Sequence, residues 1–194
     1  AAAIFGVPRE QVSKEQRRAA KAINFGMIYG QGPMGLSSSA GITPQEAKRF
    51  INAYFDIYHG IRHYMEETKK RAAQDGYVET MFGRRRPLPE IHSPLAQVRA
   101  QAERMAINMP VQGTAADITK LAMIEVHRRL GDISAHTKML LQVHDELLLE
   151  VPENDVMKVA GFVKRAMEQA EKMIVPIVVD AKYGKNWEEM EAIR

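Results

Sequence analysis

The segment Thr43-Pro44-Gln45-Glu46 constrains this chain most, because it specifies the start of a helix. The threonine hydroxyl accepts from the amide three residues on, and the glutamate reaches back to the threonine amide. Proline supplies a helical φ at the first position. Ala47, Phe50, Ile51, Tyr54, Phe55 and Tyr58 follow at helical spacing, and Gly60 reads as the stop. Ser13 and Gln16 open a similar helix over 13–29, closed by Gly30-Gln31-Gly32-Pro33. Another helix is expected near 61–74, ending at Gly76.

The pattern then changes. Tyr77 to Phe82 favours a strand, Gly83 turns, and Arg84 to Pro89 runs back. A helix near 95–109 should end at Pro110, and a longer one over 114–130 at Gly131. Residues 137–151 read as a β-hairpin whose polar turn is His144-Asp145-Glu146. An amphipathic helix starts near Asn154, with Val156, Val159, Val163, Ala166, Met167 and Ala170 facing inward. Ile177-Val178-Val179 reads as a last strand. A helical first part followed by mixed helices and strands implies an α+β architecture, with a boundary near residue 100.

Composition narrows the classes. A chain of 194 residues with 45% hydrophobic and 26% charged residues can bury a core. It has no cysteine, which excludes a disulfide scaffold and a thiolate metal site and suits a reducing cytosol. No apolar run is long enough to cross a membrane, and there is no signal-peptide pattern. The net charge of +3 is uneven: basic residues outnumber acidic ones over 1–100, and the reverse holds over 101–194. That asymmetry fits a polyanion partner for the first part and metal ions for the second, or chance placement on two surfaces.

Four groups of residues can carry chemistry. Arg17, Lys21, Phe25 and Tyr29 stand four apart, so two cations and then two aromatics share one helix face. Cations hold phosphates and aromatic faces stack on bases or sugars, which matches the two ends of a nucleoside triphosphate. The plainer alternative is an amphipathic helix with solvated cations and core aromatics. His144-Asp145-Glu146 puts adjacent carboxylates at a hairpin tip, the hard oxygen donors that Mg²⁺ prefers; the alternative is a common polar turn. Arg104, Asn108 and Gln112 repeat the four-residue step and suit phosphates and base edges, or simply solvent. Arg84-Arg85-Arg86 can track a phosphate backbone, or be a solvated charge run.

The order of these groups is more specific than any one. RRAAKAINFGMIYG (Arg17 to Gly30) resembles the fingers-helix motif of family A DNA polymerases of the bacterial DNA polymerase I type. LQVHDE (Leu141 to Glu146) resembles that family's second palm carboxylate motif. YVETMFGRRRPLP and ERMAINMPVQGTAADI lie between them in the family's order, and KYGKNWEEM resembles its C-terminal end. The resemblance covers nearly the whole chain. It implies a helical fingers subdomain over roughly 1–100, then a palm subdomain over 101–194 with a small antiparallel sheet and packed helices.

By motif position, the resemblance implies that Arg17 and Lys21 contact the triphosphate of an incoming dNTP, with Lys21 as general acid. Phe25 packs on the sugar, where phenylalanine goes with discrimination against dideoxynucleotides, and Tyr29 checks the templating pair. Asp145 is a ligand of two catalytic Mg²⁺ ions, Glu146 supports it, and His144 lies by the primer terminus. Arg104 and Gln112 contact the minor groove of the primer–template, Asn108 the template side, and Arg84 and Arg85 the DNA strands. The implied reaction is template-directed DNA synthesis in replication and repair, in the cytoplasm, with primer–template DNA and dNTPs as partners and no membrane.

The family's first palm motif, which holds another metal-binding aspartate, has no counterpart in residues 1–16. A second carboxylate is therefore expected from an upstream segment, and the fragment alone is expected to be inactive. A split gene whose upstream polypeptide completes the enzyme and a noncatalytic nucleic-acid-binding module are the other readings.

Overall fold

In the computed structural model, residues 1–193 are described. The fold is α+β, with helices and three two-stranded antiparallel sheets. The chain divides into two compact units, Ala1–Val111 and Gln112–Arg194.

The first unit is mainly helical. A short turn of helix, α1 (Ala2–Phe5), precedes α2 (Lys14–Ile28), which opens on the expected capping box: Ser13 Oγ accepts from the Gln16 amide at 3.1 Å, and Gln16 Oε1 from the Ser13 amide at 2.9 Å. Gly30, at φ 73°, turns the chain beyond α2. It leads into a helix that periodicity had not marked, α3 (Pro33–Ala40), opened by Pro33 at the first position. Its serine-rich sequence has no apolar repeat, and only Leu36 is buried.

Helix α4 (Pro44–Ile57) begins on the Thr43–Glu46 capping box. Hydrogen bonds from Thr43 hold the Glu46 carboxyl below the usual carboxylate range. The helix does not run to Gly60. It stops at Tyr58, and Gly60 lies inside α5 (His59–Asp75). Tyr58 makes the break with φ −102° and ψ 54°, while its amide still bonds the Tyr54 carbonyl. Gly76, at φ 75°, ends α5 as expected. The arginine-rich hairpin pairs β1 (Tyr77–Glu79) with β2 (Arg85–Pro87).

Helix α6 (Ala96–Ile133) passes through Pro110 and Gly131, both expected to be boundaries. Proline removes one helical hydrogen bond and crowds the preceding turn, at a cost of about 3 kcal/mol. Burial on both sides offsets that cost: Ala102, Ala106, Ile107 and Met109 before the turn after Pro110, and Ala122, Val126 and Leu130 after it. Tertiary packing overrides the local breaker. Gly131 does not stop the helix, which continues to Ile133.

The first unit has two core clusters. One joins Ile23, Met27, Leu36, Ala47 and Tyr54 across α2, α3 and α4. The other joins Ala72, Val78, Leu88, Ile91, Ala102, Ala106 and Met109. Full burial of a side chain such as Leu36 contributes about 1.5–3 kcal/mol. Helices α5 and α6 run antiparallel, tied by Lys69 to Glu103 at 3.1 Å and by the Tyr64 hydroxyl to the Ile107 carbonyl at 2.9 Å.

In the second unit, β3 (Lys138–Val143) pairs with β4 (Glu146–Glu150), with a bulge between Met139 and Leu141. Glu146 is therefore the first residue of β4, opposite Val143, rather than part of the turn. Helix α7 (Val156–Glu168) buries Val159, Phe162 and Val163 against Val126 and Leu130. Residues 177–179 do not form the expected strand. Val178 stays 75% exposed, and a strand needs a partner to hold its backbone groups. The closing pair is instead β5 (Lys182–Tyr183) with β6 (Glu191–Ala192). Among the described residues, no helix is long and apolar enough to cross a membrane.

Candidate functional site

The cation–aromatic stripe is a surface feature of α2. The helix turns Ala20, Ile23 and Met27 into the core, which leaves Arg17, Lys21 and Phe25 exposed and Tyr29 half-buried at its end. Phe25 is 42% exposed, so the aromatics are not the core side of an ordinary amphipathic helix. The Phe25 and Tyr29 rings stack with centroids 5.9 Å apart and planes 14° from parallel. Lys21 Nζ lies 5.6 Å from the Phe25 centroid. Cation and rings form one continuous ladder on the open face of the helix.

Two neighbours set the ladder's far end. A Cβ on Gly26 would run into the Gln31 side-chain amide, so a side chain there must displace Gln31. The backbone of Gly30 lies against α6: a Cβ at this position would be 3.4 Å from Ile107 Cδ1, 3.5 Å from Arg104 Cγ and 3.8 Å from Met65 Cε. The turn after Tyr29 therefore sits beside Arg104, bringing together two groups that are far apart in sequence. Arg104 is exposed, and Asn108 is half-buried one turn on. The Asn108 Oδ1 is buried and has no hydrogen-bond partner among the described residues. A buried acceptor left without a donor costs about 1–3 kcal/mol.

Two tyrosines without a local sequence signal hold these helices. The Tyr54 hydroxyl on α4 donates to Asn24 Oδ1 on α2 at 2.8 Å. Burial, then the neighbouring Tyr58, raises its pKa. Tyr64 on α5, also raised by burial, donates to α6. Raised values keep both hydroxyls protonated and able to donate.

The basic hairpin is partly engaged with itself. Arg85 Nε is 3.2 Å from Glu79 Oε2, and its guanidinium lies 4.4 Å from the Tyr77 ring centroid. Arg86 reaches Met105 Sδ at 3.4 Å. Arg84 lies in the turn, where its amide donates to Thr80 Oγ1 at 3.2 Å. Arg84 and Arg85 are both exposed.

In the second unit, Gln112 is exposed on α6 and the acidic group occupies the tip of the β3–β4 hairpin. His144 adopts φ 56°, the sole positive φ among described non-glycine residues. Its carbonyl accepts from Gln142 Nε2 at 2.9 Å. A positive φ at the first position of a two-residue loop lets the strands reverse tightly. His144 and Asp145 form the loop and Glu146 opens β4, and all three are exposed. Among the described residues, no three His, Cys, Asp or Glu side chains gather as a metal site. One or two carboxylates completed by substrate phosphates is nevertheless the usual ligand habit of Mg²⁺, and the Asp145–Glu146 pair fits it.

A family model described as DNA polymerase family A matches residues 1–189. The chain belongs to that family. The family A match spans every candidate residue from Arg17 to Glu146. DNA polymerase I of Pseudomonas aeruginosa is 51% identical over 189 residues, 97% of this chain and 21% of that relative. Thermostable DNA polymerase I of Thermus aquaticus is 47% identical over 184 residues, 95% of this chain and 22% of the relative. Among solved structures, the POL domain of Pol1 from M. smegmatis, in complex with DNA primer-template and dNTP, matches with a TM-score of 0.85 and 43% identity. That match covers 90% of this chain and 31% of the other. The chain thus spans about a fifth of the length of these curated family A relatives.

Proposed function

We propose that this chain supplies the nucleotide-binding helix, part of the DNA-binding surface and one metal-binding hairpin for template-directed DNA synthesis, as part of a family A DNA polymerase. The observation that carries the reading is the exposed ladder of α2, where Lys21, Phe25 and Tyr29 line up beyond Arg17 instead of packing inward.

On this reading Arg17 holds triphosphate oxygens bidentately, and Lys21 holds them as a point charge and donates a proton to the departing pyrophosphate. Phe25 supports the sugar, and Tyr29 stands at the templating pair. Arg104, Asn108 and Gln112 contact the primer–template. Arg84 and Arg85 hold DNA phosphates, Arg85 only after releasing Glu79. His144 borders the primer terminus. Asp145, supported by Glu146, would hold Mg²⁺ in a two-metal arrangement. Bound there, Mg²⁺ supplies charge neutralisation on the phosphates and eases deprotonation of the primer hydroxyl.

These residues offer a single adjacent acidic pair. A second carboxylate is expected from outside them, so the 194 residues alone do not extend a primer. The cytoplasm is the compartment this role assigns.

The test is single-nucleotide incorporation by the whole polymerase bearing Lys21→Ala. A general acid contributes about 10²–10⁴-fold, so the incorporation rate should fall within that range while primer–template affinity holds. An unchanged rate refutes the role given to Lys21.

A further inference from the structure

We propose that Tyr64 is a positioning residue for primer–template binding: by holding the Ile107 carbonyl, it sets where α6 presents Arg104 and Asn108. The proposal rests on the polymerase reading above.

Pro110 has no amide proton, so the Ala106 carbonyl lacks its regular helical partner, and the proline ring crowds that same turn. The ladder of α6 is therefore weakest where Ile107 and Asn108 stand. The adjoining carbonyl, that of Ile107, receives the Tyr64 hydroxyl at 2.9 Å. This bond comes from another helix, 43 residues away in sequence, and so ties α6 to α5 at the weak turn. The residues around it are those of the candidate site. Arg104 lies one turn before Asn108, the Ile107 and Arg104 side chains flank the Gly30 turn, and Met65, next to Tyr64, closes the same contact. The Lys69–Glu103 pair ties the helices again farther along, but at a partly exposed position where an ion pair contributes little. Tyr64 is thus the directional contact nearest to the nucleic-acid face of α6, although it touches no ligand itself.

The experiment uses the whole polymerase that contains this segment. Primer–template affinity is measured by fluorescence anisotropy, and the KM for dNTP by primer extension, in wild type, Tyr64→Phe, Arg104→Ala and the double variant. Tyr64→Phe keeps the ring and removes only the hydroxyl. The expected result is a roughly two- to tenfold loss of DNA affinity, the range that one hydrogen bond spans. The KM for dNTP and the melting temperature should stay near wild type. In the Arg104→Ala background, Tyr64→Phe should add little, because both act on the same contact. Unchanged DNA affinity in Tyr64→Phe overturns the proposal. So do fully additive losses, or a loss of DNA affinity accompanied by a raised KM for dNTP and a lowered melting temperature, which mark a merely structural tyrosine. A wild-type enzyme that fails to extend the primer overturns the polymerase reading, and this proposal with it.

Discussion

Gly30→Ala tests whether the turn after α2 matters for nucleotide handling or only for stability. Gly30 sits at φ 73°, where an L side chain crowds its own backbone. That penalty is about 1–2 kcal/mol. The new Cβ would stand 3.4 Å from Ile107 Cδ1 and 3.5 Å from Arg104 Cγ, ordinary contact distances, so the surroundings add little strain. Gly76 is the matched control: it has φ 75°, and its added Cβ would meet nothing within 4 Å. Both alanine variants should therefore lose about 1–2 kcal/mol locally. Their effects on function should differ. Relaxing the Gly30 turn moves Tyr29, which ends the ladder, out of its stack on Phe25. A shift worth about 1.4 kcal/mol corresponds to a tenfold change. Gly30→Ala should then lower kcat/KM for dNTP about tenfold in primer extension, while Gly76→Ala changes melting alone. Equal nucleotide kinetics in the two variants would refute the argument. Unchanged melting in both would refute the backbone argument beneath it.

Two further outcomes follow from hydrogen bonds in the first unit. Tyr54→Phe removes the tie to Asn24 on the nucleotide helix. It should raise the KM for dNTP about two- to tenfold, as expected for one hydrogen bond, with DNA affinity unchanged, checked by the same primer-extension assay. Because the Thr43 bonds lower the Glu46 pKa from 4.5, the stability it contributes is present above that unfolded value and lost as pH falls through the lower native one. Melting curves of Glu46→Gln should lack that acid-side loss while wild type shows it; identical curves would rule out the assignment.

Local rules exposed much of the fold. Both capping boxes could be read because every partner lies within three residues. The ladder on α2 was legible for a similar reason, since steps of four on one helix fix a common face. Features set by packing were hidden. Pro110 looked like a boundary because the burial that carries α6 through it comes from other elements. Ile177-Val178-Val179 has strand composition, but composition cannot supply a partner strand. α3 has too little apolar periodicity to announce itself, and the Tyr58 break has neither glycine nor proline. Tyr54 and Tyr64 act across 30 and 43 residues, where sequence spacing says nothing. The His144 conformation, which shapes the acidic tip, was equally hidden, because even histidine, enriched among the few non-glycine residues at positive φ, adopts it only rarely.

The central claim is that the hairpin carboxylates and the α2 ladder serve one reaction. Mg²⁺-dependent primer extension by the whole polymerase bearing Asp145→Ala tests it most directly. Extension should be lost, while anisotropy shows primer–template affinity largely kept. Extension at the wild-type rate would contradict the account and leave the hairpin as part of a noncatalytic nucleic-acid-binding module.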